Sequence, residues 1–485
     1  MSIIAKQNYR GKYHFSPKEK WLNDPNGLVY FSGEYHLFFQ HHPHGMTWGP
    51  MYWGHAVSKD LIHWEELDIA LAPDEKGTIF SGSAVVDWQN TTGFFEEEPG
   101  LVAIFTHHLE VEGKPTEQTQ SLAYSKDKGR TWIKYEGNPV LTHDTLIDFR
   151  DPKVFWHENT HHWIMILACG QNVCLYHSPD LKNWTFGSEF GDGFGFHGGV
   201  WECPDLFPLA VDGDASNTKW VMLVSVGDNP NYAEGSRTQY FTGDFDGITF
   251  TPDDASRMVR WVDLGRDNYA GVSWSDVPSE DGRRLVIGWM SNWKYANLTP
   301  AEEFRGAMTI PRELRLEKRD GAIVLVQCPA RELRNARRPV LTLTNVSKQQ
   351  AEEALSFLRL DSYEIVAEAA SGASLAFEVR KGQSQKTIVG IDASQGIVYV
   401  DRTQSGQHEF HEQFRGIHNA SLHTVGDRMD LHIYVDRTSV EVFAGDGQAA
   451  ITDLIYPDEE SNGISLASED ESLILISLAV FELGD

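Results

Sequence analysis

Ser58-Lys59-Asp60-Leu61-Ile62-His63-Trp64 is the first copy of a phrase that this chain repeats. It returns at 125–132 and 178–184, and in a weaker form at 243–250. In each copy an apolar strand leads into a turn of Ser, Asp and Gly residues, and an aromatic residue opens the next strand. A single copy would indicate an ordinary hairpin, whereas four copies indicate a repeated structural unit.

Strands placed around these hairpins give four short strands in every unit. The five predicted units span 27–67, 80–135, 151–188, 203–252 and 269–328. In the last unit the third strand is predicted at 304–316. Five four-stranded sheets in series predict an all-β fold, namely a five-bladed β-propeller.

Three acidic residues stand at equivalent places in these units. Asp24 in Trp21-Leu22-Asn23-Asp24-Pro25-Asn26-Gly27, Asp151 before Pro152, and Glu202 before Cys203-Pro204 each precede the first strand of a unit. A neighbouring proline restricts the backbone and fixes the direction of the carboxylate. First strands line the channel of a propeller, so we expect the three carboxylates to converge at one mouth. Carboxylates that lie close together repel one another and raise one another's pKa. A purely structural motif has no need for such a cluster, whereas an acid/base or nucleophilic site does.

The character of the chain changes after about residue 330. Alternating strands such as Leu431-His432-Ile433-Tyr434-Val435 are separated by Gly-containing turns, which predicts a β-sandwich. We therefore expect a catalytic propeller at 1–330, a linker at 331–340 and a β-sandwich at 341–485. One helix is expected within 349–360, and no catalytic constellation is visible in this part.

Composition narrows the classes of ligand. The formal net charge is −29 at pH 7, which disfavours nucleic acid and anionic membranes as partners. Aromatic residues make up 12% of the chain, and aromatic faces suit carbohydrate. The four cysteines lack metal-ligand or disulfide spacing, and His41-His42-Pro43-His44 lacks accompanying acidic or Cys ligands, so no metal or other cofactor is expected. His107-His108, at a strand end, is expected on the surface. The first residues form no apolar segment, from which we expect a cytoplasmic protein, with the trimmed form of a secreted protein as the alternative.

These motifs together resemble glycoside hydrolase family 32, which contains invertases, exo-inulinases, levanases and sucrose-6-phosphate hydrolases. The resemblance runs essentially end to end. It is carried by 21–27, Phe80-Ser81-Gly82-Ser83, Arg150-Asp151-Pro152 and Trp201-Glu202-Cys203-Pro204-Asp205. The family fold is a five-bladed propeller followed by a β-sandwich, in agreement with the pattern of strands.

The resemblance also implies roles for individual residues. It makes Asp24 the nucleophile, Glu202 the general acid/base and Asp151 the stabiliser of the transition state. Fructosyl cleavage builds oxocarbenium character, which a carboxylate stabilises. The remaining family positions, which would bond or enclose the sugar, map onto Asn23, Gln40, Trp48, Phe80, Ser81, Arg150 and Trp289.

The expected activity is that of a retaining, exo-acting β-fructofuranosidase that releases terminal fructose from sucrose and short fructans. Hydrolysis of sucrose 6-phosphate remains an alternative. An inverting arabinanase-type enzyme and a non-catalytic fructan-binding protein are weaker ones, because the motifs and all three acids are present. The sequence leaves open the preferred fructoside and the oligomeric state.

Overall fold

The computed structural model describes residues 9–114, 116–422, 427–468 and 470–484. The chain folds into a five-bladed β-propeller followed by a two-sheet β-sandwich. Blade 1 contains β1 (Lys20–Phe31), β2 (Glu34–His42), β3 (Tyr52–Ser58) and β4 (Glu65–Glu66). Blade 2 contains β5 (Thr78–Asp87), β6 (Gly100–Leu109), β7 (Glu117–Ser125) and β8 (Ile133–Lys134). Blade 3 contains β9 (Phe149–His157), β10 (His162–Cys169), β11 (Asn172–Ser178) and β12 (Thr185–Phe190).

The last two blades follow the same antiparallel order. Blade 4 contains β13 (Trp201–Val211), β14 (Asp214–Val226), β15 (Arg237–Phe245) and β16 (Phe250–Pro252), and the 3₁₀ turn Asp254–Arg257 follows it. The final part of the propeller contains β17 (Tyr269–Ser273), β18 (Arg284–Trp289), β19 (Phe304–Arg305), β20 (Arg312–Arg319) and β21 (Ala322–Pro329). The first strands of neighbouring blades contact one another around the channel.

The repeated phrase forms the same turn in blades 1 and 3. Asp60 Oδ1 accepts the backbone N–H groups of residues 62 and 63, and the Trp64 indole donates to the carbonyl of residue 61. Asp180 and Trp184 make the corresponding bonds in blade 3. The Asp therefore caps the turn while the Trp closes it, which explains the fixed spacing of the phrase.

The predicted strand 304–316 is wrong, because the segment forms two strands in different places. β19 leaves blade 5 and pairs in parallel with Lys20 and Trp21 of β1, which ties the last blade to the first. Gly306 interrupts the segment at φ +98°, and a Cβ there would lie 2.1 Å from the carbonyl oxygen of Leu22. Only glycine fits this close approach, so the chain turns away before β20 begins.

The sandwich packs two antiparallel sheets around one aliphatic core. Its elements in chain order are the 3₁₀ helix Arg331–Ala336, β22 (Arg337–Ser347), α1 (Lys348–Ser356), β23 (Tyr363–Ala370), β24 (Leu375–Lys381), β25 (Lys386–Asp392), β26 (Ile397–Gln404), β27 (Ile417–Ser421), β28 (Arg428–Asp436), β29 (Ser439–Ala444), β30 (Ala449–Leu454), β31 (Gly463–Leu466) and β32 (Ile474–Leu483). β22 begins at Arg337, inside the segment predicted as a linker. No helix in the described ranges is long and apolar enough to cross a membrane.

A buried ionic network joins the propeller to the sandwich. Arg312 of blade 5 contacts Asp263 of the propeller and Glu441 of the sandwich. His14 lies 2.8 Å from both Asp436 and Glu441. Burial opposes the charge on His14, but its hydrogen bonds to the two carboxylates outweigh that effect and raise its pKa to about 9. The two parts are therefore joined through paired charges as well as apolar contact.

Candidate active site

The three predicted acids lie together at one end of the channel. Asp24, Asp151 and Glu202 all line the same cavity of about 480 Å³. They belong to β1, β9 and β13, the first strands of blades 1, 3 and 4. Equivalent positions in the blades thus bring together residues that are up to 178 positions apart in the sequence.

Asp24 is held by one of its two carboxylate oxygens. The Ser81 hydroxyl donates to Asp24 Oδ2 at 2.8 Å. Oδ1 is buried and accepts no hydrogen bond from the described residues. Asn26 fixes the backbone below, since its amide donates to the Asp24 carbonyl and accepts the N–H of Gly82. One carboxylate oxygen is thus anchored while the other is left for a ligand.

Asp151 sits in a strained part of the backbone. Its φ is +64° and that of Cys203 is +44°, a region that costs non-glycine residues energy. The Cys203 N–H donates to Asp151 Oδ2 at 3.0 Å, and the Thr106 hydroxyl accepts the N–H of Asp151. The Cys203 thiol lies 3.6 Å from Asp24 Oδ2 and 3.7 Å from Asp151 Oδ2. The strain therefore serves to turn both side chains towards one point.

Glu202 is positioned by two donors. Arg150 Nη2 donates to Glu202 Oε1 at 2.9 Å, and the Tyr269 hydroxyl donates to Oε2. Arg150 also contacts Asp148 and lies 3.9 Å from Asp151, so one guanidinium serves three carboxylates. These contacts hold Arg150 charged: burial alone would lower its pKa, but Glu202 and Asp151 raise it above its usual value.

Burial dominates the electrostatics of the other two acids. It raises the pKa of Asp24 to about 6, and the charge of Glu202 adds to this while the Ser81 hydrogen bond opposes it. Burial also raises the pKa of Asp151 to about 7, where Arg150 opposes the shift and the neighbouring carboxylates reinforce it. Groups with pKa values near neutrality, gathered in one cavity, are suited to proton transfer and nucleophilic attack.

The polar residues predicted to bond a sugar also lie in this cavity. The Gln40 amide donates to the Ile79 carbonyl at 3.0 Å, which leaves its own oxygen for a ligand. Asn23 is oriented in the opposite sense, because its oxygen accepts the Trp21 indole N–H at 2.7 Å. Its amide N–H group therefore faces Asp24, where it lowers the pKa of the carboxyl against the effect of burial. The cavity therefore offers both a donor and an acceptor beside the acids.

The aromatic wall differs from the prediction at one position. Trp48 and Phe80 line the cavity, with their rings 6.1 Å apart in an edge arrangement. Trp289, in contrast, is fully buried behind Trp293, and Trp293 is the indole that reaches the cavity. Trp289 ends β18 in the core, whereas Trp293 lies on the loop beyond it.

Two further residues at the site were missed from the sequence. Tyr269, which donates to Glu202, begins β17 without a neighbouring proline to mark it. His108 was expected on the surface together with His107. Instead His107 is buried, while His108 lines the cavity and stacks on Phe80 with ring centroids 4.1 Å apart. Only its position near the end of β6 in blade 2 could have suggested this.

The chain matches two family models. Residues 14–329 match the model described as glycosyl hydrolases family 32 N-terminal domain, and 332–482 match the family 32 C-terminal model. The chain is 51% identical over 484 residues to a levanase of Bacillus subtilis (strain 168), covering 98% of this chain and 71% of that protein. It is 38% identical over 498 residues to an extracellular exo-inulinase of Aspergillus niger, covering 95% of this chain and 92% of the relative.

Solved structures resemble the whole chain. A fructofuranosidase from Schwanniomyces occidentalis complexed with fructose superposes with a TM-score of 0.90 at 32% identity, covering 100% of both chains. A sucrose-6-phosphate hydrolase from Lactobacillus gasseri is 22% identical, with a TM-score of 0.80 over 98% of this chain and 93% of that one, and shows a shared fold.

The expected cytoplasmic location is wrong on this comparison. Relatives that match nearly the whole chain are named extracellular exo-inulinases. The expectation rested on a missing apolar segment, and such an absence carries no information on where the folded protein works.

Proposed function

The chain belongs to glycosyl hydrolase family 32 and is a β-fructofuranosidase-type glycoside hydrolase, and on this premise we propose that it removes terminal β-D-fructofuranosyl units with retention of configuration. The observation that carries the proposal is the asymmetry of the acids. Asp24 has one free oxygen, whereas both oxygens of Glu202 are held by donors.

In the proposed reaction Asp24 attacks carbon 2 of the fructosyl unit through its free Oδ1. Ser81 keeps Oδ2 in place, so the attacking oxygen is directed without rotation of the carboxylate. Glu202 gives a proton to the departing oxygen and later takes one from the water that hydrolyses the fructosyl–enzyme ester. Arg150 and Tyr269 fix Glu202 during both steps, which makes them positioning residues for the acid/base.

Asp151 is proposed to stabilise positive charge on the fructosyl ring. Its Oδ2 is held by the Cys203 N–H, so the carboxylate is oriented before substrate arrives. Preoriented charge costs no reorganisation when oxocarbenium character develops, and this is why such groups accelerate the reaction.

An exo mode of action follows from the shape of the channel. Below the acids the channel narrows to a void of about 10 Å³, lined among others by Pro25, Pro152 and Cys203. Such a void holds at most about one water molecule. A fructan chain therefore cannot pass through the channel, and a cavity that is closed at its bottom favours a chain that enters by its end.

We propose sucrose and short fructans of inulin or levan type as substrates. Among the described residues that line the catalytic cavity, Arg150 is the only Lys or Arg, and acids surround it. A phosphate group would meet this acidic surface without a free cation. The geometry therefore disfavours sucrose 6-phosphate.

The decisive experiment is NMR of the first sugar released from sucrose, recorded before mutarotation. Retention through an Asp24 ester gives β-fructofuranose first, because two inversions follow one another. If the α-anomer appears first, Asp24 acts as a base and not as a nucleophile. If no hexose is released at all, the protein binds the sugar without cleaving it.

A second measurement ranks the substrates. The kcat/KM values for sucrose, kestose, inulin, levan and sucrose 6-phosphate should place the phosphorylated sugar last. A preference for sucrose 6-phosphate would contradict the proposed substrate range while leaving the mechanism intact.

A further inference from the structure

The propeller has a second cavity that is larger than the one that holds the acids. It has a volume of about 830 Å³ and is lined by residues at the far ends of the first strands. β9, for example, carries Asp151 in the catalytic cavity and Phe155 in this one. Four strand residues span about 13 Å, so the two cavities open at opposite ends of the channel. We call the larger one the far-mouth cavity.

Indole rings form much of its wall. Trp88, Trp156, Trp163 and Trp220 all line the far-mouth cavity. Trp156 and Trp163 pack edge to face with centroids 5.2 Å apart, and the Trp163 N–H donates to the Thr91 hydroxyl at 2.9 Å. These rings are therefore fixed in position.

Trp88 presents an exposed aromatic face that is held in a fixed orientation. Its side chain is 60% exposed, so core packing does not explain it. Its indole N–H donates at 2.8 Å to Asp276 Oδ1, while Asp276 Oδ2 accepts the Val86 N–H at 2.9 Å. Asp276 comes from blade 5 and has a φ of +56°, a conformation that costs energy. A strained acid on another blade thus locks an exposed aromatic face, which lowers the entropy cost of stacking a ligand on it.

The charges in the cavity disfavour an anionic ligand. Lys153 donates to the Ser273 carbonyl and lies 3.6 Å from Asp205, so its charge is paired. Arg284 lies over the Phe207 ring at 4.8 Å. Asp205, Asp276 and Glu158 outnumber the two cations in the lining. Exposed amides of Gln89 and Asn159 complete the rim.

From this combination we propose that the far-mouth cavity is a second carbohydrate-binding site, which holds a β-fructan chain on the face opposite the catalytic cavity. An aromatic face for the apolar side of a sugar ring, bordered by amides and carboxylates for its hydroxyls, suits a neutral saccharide. The choice of fructan as ligand rests on the proposed function. Because the channel is closed, one short oligosaccharide cannot occupy both cavities, and the site acts only on polymers by keeping them near the enzyme.

Binding is tested in a Glu202→Gln background, which holds substrate without turnover, by electrophoresis through gels that contain levan. Saturating fructose is added to occupy the catalytic cavity. Adding Trp88→Ala should weaken retention about tenfold, which corresponds to about 1.4 kcal/mol. The control Phe186→Ala removes another exposed aromatic ring, 54% exposed on β12, and should leave retention unchanged.

Activity provides the second test, in the wild-type background. Trp88→Ala should keep kcat/KM for sucrose and raise KM for levan severalfold. If Trp88→Ala does not fold, Gln89→Ala/Asn159→Ala alters only the exposed rim and should weaken levan retention in the same direction.

The possible results separate the two proposals. Unchanged levan retention and KM in all these variants would overturn the second site, although sucrose hydrolysis stayed intact. Loss of retention on dextran but not on levan would overturn its assignment to fructan. A wild-type protein that cleaves neither sucrose nor levan would instead refute the proposed function.

Discussion

Replacing Asp24 by Asn should make the protein more stable at neutral pH while it removes activity. Burial, and then the charge of Glu202, raise the pKa of this carboxyl from 3.8 to about 6. Folding therefore works against the ionised form that the reaction needs. An Asn side chain has nearly the same shape, and its oxygen can still accept the Ser81 hydroxyl, but it carries no charge.

The size of the effect follows from linkage. A pKa difference of about two units is worth about 3 kcal/mol in the free energy of unfolding at pH 7. For a chain of 485 residues, an unfolding entropy of about 2.1 cal/mol/K per residue converts this into a rise in Tm of about 3 °C. Folding raises the pKa of Asp24, so ionisation of this carboxyl lowers the free energy of unfolding. This destabilisation is absent below pH 3.8, grows as the pH rises and is complete above about pH 6.

The assay is calorimetry of both proteins between pH 4.5 and 7.5. The difference in Tm should be small at pH 4.5 and reach its full size near pH 7. Asp180→Asn is the matched control, because hydrogen bonds in its hairpin turn lower the pKa of Asp180 against the effect of burial. That change should lower Tm or leave it unaltered. A Tm for Asp24→Asn at or below that of the wild type at pH 7 would refute the reasoning.

Ser81→Ala should move the acid limb of kcat/KM upward from pH 6 by about one unit, since the lost hydrogen bond favours ionised Asp24; a pH profile with an unmoved limb would contradict this. Glu202→Ala should lower kcat on sucrose about 10²–10⁴-fold, and the variant should regain activity on fructosides with good leaving groups. The Asp24→Ala variant should not regain activity on any substrate. The protonated His14 imidazole stabilises the interface fully below pH 6.5, and this stabilisation is lost as the pH rises through about 9. His14→Gln should therefore remove the loss of stability that the wild type shows over this range. Denaturant midpoints at pH 6 and 9.5 measure the difference.

Much of the fold and of the acid cluster could be predicted because both are encoded locally. Asp60 and Trp64 close their turn with bonds inside seven residues, so the repeat is visible in the sequence. Asp24 and Asp151 stand beside prolines at strand entrances, and the ring of blades then brings them together. Once the strands of each unit are counted correctly, the positions of these acids in space follow from the ring, however far apart they lie along the chain.

The residues that escaped prediction depend on contacts between blades or on loops. Tyr269 meets Glu202 from a neighbouring blade, and a Tyr at the start of a strand carries no local sign of that partner. Trp289 and Trp293 are four residues apart, and the choice between them depends on where β18 ends. β19 pairs with β1 across almost 300 residues, so no local pattern could detach it from blade 5.

The energetics of the acids indicate a role for the sandwich in addition to covering apolar surface of the propeller. Ionised Asp24 and Asp151 are both opposed by burial, and the strained backbone at Asp151 and Cys203 adds to the cost. A ring of blades can sustain this only if it cannot relax by opening. β19 closes the ring between its ends, and Arg312 of blade 5 is held by Glu441 of the sandwich. Breaking a buried ion pair by removing one partner costs about 3–5 kcal/mol. We therefore expect the sandwich to resist opening of the last blade, and in that way to help keep the carboxylates in their unfavourable arrangement.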